Sequence, residues 1–230
     1  MASPTVIPIG TRLDEATVCT IARGLAAGTT ASVIVIEGEP ERFCLGMDFA
    51  QAIAGQPAQL EPFARLIGSL LRSPRPTLAV IDGPTLGGGL GVAAACDFVL
   101  ATERATFGLP EGLYGLAPAI IRPALLTRLS PQQLRLLVMT CHSRSASQAA
   151  ALGLVDEVVA VGDLERARRS AIRRLARVRT ETVVACRRLE HGELDHQLNA
   201  GVTETAAALA TETVVEALRA FTAEEQLPWV

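Results

Sequence analysis

The stretch that decides the fold is residues 78–91, LAVIDGPTLGGGLG, in which an apolar run and a turn lead into a glycine triplet. A second stretch of the same design precedes it, where the apolar run Val33–Ile36 leads into residues 43–49, FCLGMDF. Each places backbone amides just beyond a predicted strand, where glycines keep side chains out of the way. Two such amides converging on one carbonyl oxygen stabilise the negative charge that develops in acyl or enolate chemistry. The two loops together therefore predict an oxyanion hole.

Around these loops, the first half of the chain alternates strand and helix patterns. Strands are predicted at residues 31–37, 77–82, 98–102 and 106–109, and helices at residues 14–27, 48–53, 62–71 and 90–95. From residue 118 onward the periodicity is helical alone, with helices predicted at 120–129, 131–140, 145–152, 164–178, 180–190 and 204–221. The pattern predicts an α/β core over residues 1–160 and a C-terminal helical region over residues 161–230.

Composition narrows the class of protein. The 230 residues are long enough for one substantial core, and the hydrophobic fraction of 49% contains no uninterrupted run long enough to span a membrane. The first residues lack a signal-peptide pattern, so a cytoplasmic location is predicted. A net charge of −3 and an aromatic fraction of 3% disfavour nucleic acid as a partner. Every basic residue is arginine, so lysine chemistry is excluded.

Cysteine and histidine spacing gives no sign of a metal centre. No CxxC motif occurs, and the histidines His142, His191 and His196 have no partners at ligand spacing. We expect these histidines at the surface. We expect reduced thiols at the five scattered cysteines, which are Cys19, Cys44, Cys96, Cys141 and Cys186.

An ordered set of motifs resembles the crotonase (enoyl-CoA hydratase/isomerase) superfamily. Besides FCLGMDF, the set comprises DGPTLGGG at 82–89, CDFVLAT at 96–102, TFGLPE at 106–111 and GLVDEV at 153–158. The resemblance covers roughly residues 13 to 225. It implies a crotonase-like ββα spiral core with a C-terminal helical layer.

By this resemblance, the N–H groups of Met47 and Gly88 form the oxyanion hole for a thioester carbonyl, and Glu111 is the catalytic acid/base. Further substrate-binding residues are implied at the same motifs, namely Cys44, Gly46, Asp48, Gly87, Gly89 and Tyr114. The structural alternatives are tight strand–helix packing for Gly87 to Gly89, core packing for Met47 and Tyr114, a helix cap for Asp48, and a helix cap or a solvated carboxylate for Glu111.

The chain departs from the family in two ways. Hydratases of the family use two glutamates, and this chain has Gly91 where the first of them stands. Glu111 alone can move a proton next to the thioester, or serve both carbons in a syn elimination. The first helix begins within about fourteen residues, so most of the family's N-terminal strand hairpin is expected to be missing.

Within the family, residues 107–130, FGLPEGLYGLAPAIIRPALLTRLS, look most like the dehydratase-type members of polyketide β-branching cassettes. This implies dehydration of a 3-hydroxy-3-methylglutaryl thioester to a 3-methylglutaconyl thioester. The substrate would be carried on an acyl carrier protein or coenzyme A, with no further cofactor. The alternatives are a decarboxylase or a double-bond isomerase of the same fold, and a non-catalytic partner subunit.

Two predicted helix surfaces concern the binding of other protein chains. One predicted helix concentrates positive charge, which is either a solvated face or a docking site for an acidic carrier protein. Its arginines are Arg166, Arg168, Arg169, Arg173, Arg174, Arg177 and Arg179. The family resemblance implies a homotrimer or hexamer. The spacing of Val214, Val215, Leu218 and Phe221 predicts a buried helix face near the C-terminus.

Overall fold

The computed structural model describes residues 3–48, 60–190 and 193–224, and a parallel sheet lies at its centre. The strands are Thr5–Pro8 (β1), Ile34–Glu37 (β2), Thr77–Ile81 (β3), Thr85–Leu86 (β4), Phe98–Thr102 (β5), Thr106–Gly108 (β6), Arg144–Ser145 (β7) and Glu157–Val159 (β8). The central sheet has the order β1-β2-β3-β5-β8, and every neighbouring pair is parallel. A smaller sheet has the order β4-β6-β7.

Helices cover both faces of the central sheet. They are Glu15–Ala27 (α1), Leu60–Leu71 (α2), Gly88–Ala94 (α3), Arg122–Leu126 (α4), Pro131–Thr140 (α5), Ala146–Leu152 (α6), Leu164–Leu175 (α7), Thr180–Glu190 (α8), Leu194–Leu209 (α9) and Glu212–Glu224 (α10). The larger core packs α1, α2 and α3 against one face. On the other face, Ala167 and Ala171 of α7 pack against Val35, Val80 and Leu100. Burial on both faces explains why the strands are apolar throughout.

The C-terminal half differs from the sequence prediction in one element. The single helix predicted at 204–221 is wrong, because two helices, α9 and α10, occupy this region and the chain breaks between them at residues 210–211. Gly201 lies inside α9, where a Cβ atom would stand 2.7 Å from the Ala119 carbonyl oxygen. Glycine at this position allows the close backbone contact, but its low helix propensity makes the helix harder to predict from the sequence.

Other differences concern short elements. Four strands, β1, β4, β7 and β8, were not predicted, because each is only two to four residues long. The helix predicted at 120–129 is reduced to α4. The helix predicted at 48–53 lies outside the described residues beyond Asp48. The division of the chain at residue 160 stays a prediction.

The described residues contain no helix long and apolar enough to cross a membrane. Nor do they contain a group of three or more His, Cys, Asp or Glu side chains placed to hold a metal ion.

Arg187 of α8 ties the C-terminal helices to the sheet. Its guanidinium donates to the Leu70 and Leu71 carbonyl oxygens at 2.8 and 2.6 Å, which are acceptors at the end of α2. It also donates to Asp97 at 2.7 Å, and Asp97 in turn accepts from the Thr77 backbone at 2.7 Å. One buried cation thus satisfies acceptors from two elements.

We expect Arg187→Leu to lower the free energy of unfolding by about 2–4 kcal/mol, because it leaves the Leu70, Leu71 and Asp97 acceptors without their donor. Urea denaturation followed by circular dichroism measures the change. The exposed neighbour Arg188 is the control, and Arg188→Leu should change the value by less than about 0.5 kcal/mol. Equal effects at the two positions would contradict the assignment.

Candidate active site

Backbone pairing brings the two loops predicted from sequence together. The Leu45 N–H donates to the Thr11 carbonyl at 2.7 Å, and the Leu86 N–H donates to the Cys44 carbonyl at 2.9 Å. Gly46 has φ +93°, and a Cβ atom there would lie 3.4 Å from the Gly88 nitrogen. Glycine is needed at this position both for its left-handed backbone and for the close approach of the second loop.

Met47 and Gly88 each present a backbone N–H at this junction. Among the described residues, neither N–H donates to a backbone or side-chain acceptor. Gly88 is the first residue of α3, so its N–H has no acceptor within the helix. The arrangement leaves two donors, on loops that pack against each other, for an oxygen atom from outside the chain.

Both residues line a cavity of about 60 Å³. Six of the residues predicted from sequence contribute to its wall, namely Gly46, Met47, Gly87, Gly88, Glu111 and Tyr114. The structure thus places the candidate donors and the candidate acid/base around one cavity.

Glu111 is a buried carboxylate in the 3-10 turn Pro110–Tyr114, which follows β6. Its side chain lies over Gly87, where a Cβ atom would stand 2.8 Å from Oε1. Within the described part of the chain, Oε2 has no hydrogen-bond partner. Burial raises the pKa of Glu111 from 4.5 to about 7. Near neutral pH the group can therefore both accept and donate a proton.

Tyr114 lies at the other end of the same turn and is 3% exposed. Burial raises its pKa to about 12, with the nearby charges of Glu111 and Cys141 adding to the effect. Its ring packs with Leu116 and with Val214 and Leu218 of α10. Tyr114 thus lines the cavity and also packs in a small core, and its contact with substrate stays a prediction.

Cys44, Gly89 and Asp48 are not among the residues that line the cavity. Cys44 is buried, and burial raises the pKa of its thiol to about 11. A Cβ atom on Gly89 would stand 2.5 Å from the Cys44 carbonyl oxygen, so this pair joins the two loops behind the site. Asp48 follows Met47 at the edge of the described residues. Substrate contacts of these three residues stay predictions.

The sequence did not single out the remaining wall of the cavity, which includes Phe63, Thr205 and residues 116–121. Phe63 and Thr205 come from α2 and α9, so no local motif marks them. Ile121 is the most informative of this group, because it stands beside Gly91. A Cβ atom on Gly91 would lie 2.2 Å from Ile121 Cγ2 and 2.5 Å from its Cβ.

We expect Gly91→Ala to lower the free energy of unfolding by about 1–3 kcal/mol, because the added methyl group collides with Ile121. The loss occurs although alanine is the better helix former. Thermal unfolding measures it. The control is Gly162→Ala, where a Cβ atom meets nothing within 4 Å. An unchanged or raised stability of Gly91→Ala would show that Ile121 moves aside freely.

The arginine-rich helix α7 is largely ion-paired. Arg168 binds Glu37 at 3.0 Å, and Arg174 binds Glu157 at 2.6 Å. Arg166 and Arg169 pair with acidic residues of the first turn and its flank. Among the described residues of this arginine set, Arg173, Arg177 and Arg179 are exposed and form no ion pair. Docking of a carrier protein stays a prediction.

The remaining surface predictions have mixed outcomes. His142 and His196 are exposed, as expected, and His191 lies outside the described residues. Val214 and Leu218 are buried, while Val215 is half-buried. The side chain of Phe221 lies outside the described part of the chain. The trimer or hexamer stays a prediction.

Residues 23–229 match the enoyl-CoA hydratase/isomerase family. The bacillaene synthase dehydratase PksH of Bacillus subtilis is 31% identical over 177 residues, which are 74% of this chain and 67% of PksH. The enoyl-CoA isomerase/hydratase fer4 of Mycosarcoma maydis is 33% identical over 147 residues, which are 61% of this chain and 54% of fer4. The matched segment thus spans two thirds of the first relative and about half of the second.

Solved structures show the same architecture. The crystal structure of pksH from Bacillus subtilis has a TM-score of 0.85 at 23% identity, covering 97% of this chain and 96% of that one. An enoyl-CoA hydratase from Mycobacterium avium has a TM-score of 0.81 at 26% identity, covering 93% and 86%. The crotonase-like α/β fold predicted from the sequence is confirmed.

Proposed function

The chain belongs to the enoyl-CoA hydratase/isomerase family, and from that premise we propose that it dehydrates a 3-hydroxy-3-methylglutaryl thioester to the 3-methylglutaconyl thioester. The substrate is carried on the phosphopantetheine arm of an acyl carrier protein or on coenzyme A, and no other cofactor takes part. The similarity to PksH, named as a bacillaene synthase dehydratase, supports dehydration in polyketide biosynthesis.

The observation that carries the proposal is a buried carboxylate that lines the same cavity as two backbone amides, which have no acceptor among the described residues. The Met47 and Gly88 N–H groups hold the thioester oxygen and stabilise the enolate. Glu111 takes the proton from C2 and, now protonated, gives it to the hydroxyl on C3. The C3–O bond breaks, the C2=C3 double bond forms, and water leaves while Glu111 returns to its ionised form. A pKa of about 7 suits a group that must play both roles.

The second candidate is a decarboxylase or double-bond isomerase, and the apolar cavity favours it. Among the described residues that line the cavity, none is an arginine or histidine, and the polar side chains are Glu111, Tyr114 and Thr205. An apolar pocket raises the free energy of a substrate carboxylate, which promotes loss of CO2. In an isomerase, Glu111 would move one proton between two carbons.

Intact-protein mass spectrometry separates these reactions. Purified protein is incubated with 3-hydroxy-3-methylglutaryl carrier protein, and in parallel with the coenzyme A thioester. Loss of one water is expected, and the Glu111→Gln variant serves as the control. A control with another acyl group loaded on the same carrier tests selectivity. Loss of CO2 would favour the decarboxylase. An established dehydratase is assayed in parallel as the positive control. If that enzyme removes water while the mass of this protein's substrate stays unchanged, the result contradicts dehydration.

A further inference from the structure

The side chain of Ile121 fills the space that a side chain at position 91 would need. A Cβ atom on Gly91 would lie 2.2 Å from Cγ2 and 2.5 Å from Cβ of Ile121, but 3.4 Å from Cδ1. Ile121 is 3% exposed and also lines the cavity that holds Glu111. An aliphatic group thus occupies a position on the wall of the site.

Glu111 and Ile121 lie near the start of α3 and line the same cavity. Gly87, which stands under the Glu111 carboxylate, and Gly91 are four residues apart, and the Gly91 N–H donates to the Gly87 carbonyl at 3.1 Å. Gly87 precedes the helix, with φ +52° and ψ −123°, so this hydrogen bond is what relates the two positions. Glu111 and Ile121 thus line one cavity above two glycines that are joined by a backbone hydrogen bond.

The main chain before Ile121 is held by α9. A Cβ atom on Gly201 would lie 2.7 Å from the Ala119 carbonyl oxygen and 2.9 Å from the Ile120 Cα. Two glycines, Gly91 on α3 and Gly201 on α9, thus let this segment pack between the helices. Ile121 has little room to move away from its position.

We propose that Ile121 is the specificity-determining residue that recognises an alkyl branch on the reacting carbon. The inference rests on the proposed dehydration. If Glu111 protonates the C3 hydroxyl, then C3 lies within reach of that carboxylate. A side chain that lines the same cavity as the carboxylate is placed to contact another substituent of that carbon. Cγ2 of Ile121 is a methyl group, so it favours a methyl branch on C3 and offers nothing to a polar group.

The test compares two substrates that differ only in the branch, the 3-hydroxy-3-methylglutaryl and 3-hydroxyglutaryl thioesters. One methyl group in an apolar pocket changes kcat/KM by about 10–200-fold. For the parent and for each variant, kcat/KM for the 3-hydroxy-3-methylglutaryl thioester is divided by kcat/KM for the 3-hydroxyglutaryl thioester. Comparing this ratio between parent and variant cancels the difference in intrinsic reactivity between the two substrates. We expect Ile121→Ala to lower this ratio by about tenfold or more.

Ile121→Val is the matched control. Valine keeps the Cβ and Cγ2 atoms that lie close to Gly91 and loses Cδ1 alone, so the ratio should stay within about threefold of the parent. Ile121→Leu keeps the volume and loses Cγ2, so it should lower the ratio as Ile121→Ala does. The leucine variant also answers the question if the alanine variant does not fold.

The outcomes distinguish this inference from the function on which it rests. A lowered ratio in the alanine or leucine variant, with the valine variant unchanged, supports it. Unchanged ratios in folded variants that still dehydrate both substrates overturn the role of Ile121 and leave the dehydratase in place. A parent enzyme that loses water from neither substrate overturns both.

Discussion

Glu111→Gln reduces kcat/KM for dehydration by about 10²–10⁴-fold, which is the expected result if one carboxylate performs both proton transfers. Glutamine keeps the size of the side chain over Gly87 and cannot accept the C2 proton. The rate is measured by loss of one water from the loaded carrier protein. Glu103→Gln, at an exposed position, is the control and should leave the rate unchanged.

The same substitution should remove the acidic limb of the pH profile. Burial raises the pKa of Glu111 to about 7, and the reaction begins with the ionised form. In the parent, kcat/KM should therefore rise about tenfold per pH unit below pH 7 and level off above it. A Glu111→Gln variant that retains both the rate and this limb would assign the base to another group.

As the pH rises, the free energy of unfolding should fall while the activity increases. Glu111 titrates at about 7 in the folded protein and near 4.5 in the unfolded chain. Between these values the folded state keeps a proton that the unfolded state has released, so the free energy of unfolding falls as the pH rises. The loss amounts to about 3 kcal/mol at full ionisation. Glu111→Gln should therefore be more stable than the parent at about pH 8, and the difference should shrink towards about pH 5.

Local patterns were enough to predict much of the core and the cavity. Apolar runs and glycine turns predicted β3, β5 and the start of α3, because each is defined by residues adjacent in sequence. They also predicted the loops that carry Met47 and Gly88. Glu111 was identified through the resemblance of TFGLPE to the family motif, and this motif directly follows a short strand, β6.

Other features depend on contacts between residues distant in sequence. Nothing near Gly91 shows that Ile121 fills its side-chain space, and nothing near Thr205 places it at the cavity. The helix was predicted to begin only at residue 204, whereas α9 begins at Leu194 and includes Gly201, which packs against the Ala119 backbone. At such positions, tertiary packing overrides the local secondary-structure propensity.

The second large effect is expected at the oxyanion hole. Gly88 is the first residue of α3, where proline is tolerated because the N–H has no acceptor within the helix. The Gly88→Pro substitution removes that N–H, and the proline ring fixes φ at a value that suits the first residue of a helix. If the N–H holds the thioester oxygen, kcat should fall by about 10²–10³-fold.

Gly88→Ala separates loss of the donor from crowding. Both variants add a Cβ atom, which would meet Leu13 Cδ1 at 2.7 Å and Phe63 Cζ at 3.2 Å, so they share this steric effect. Alanine retains the N–H, whereas proline puts a ring carbon in its place. Circular dichroism checks that both variants fold, and initial rates then give their kcat values. The kcat of the alanine variant should exceed that of the proline variant by most of the expected factor of about 10²–10³. The two variants share the crowding, so this difference reports the loss of the hydrogen bond. Equal kcat values in two folded variants would mean that the Gly88 N–H does not bind the oxygen on which negative charge develops.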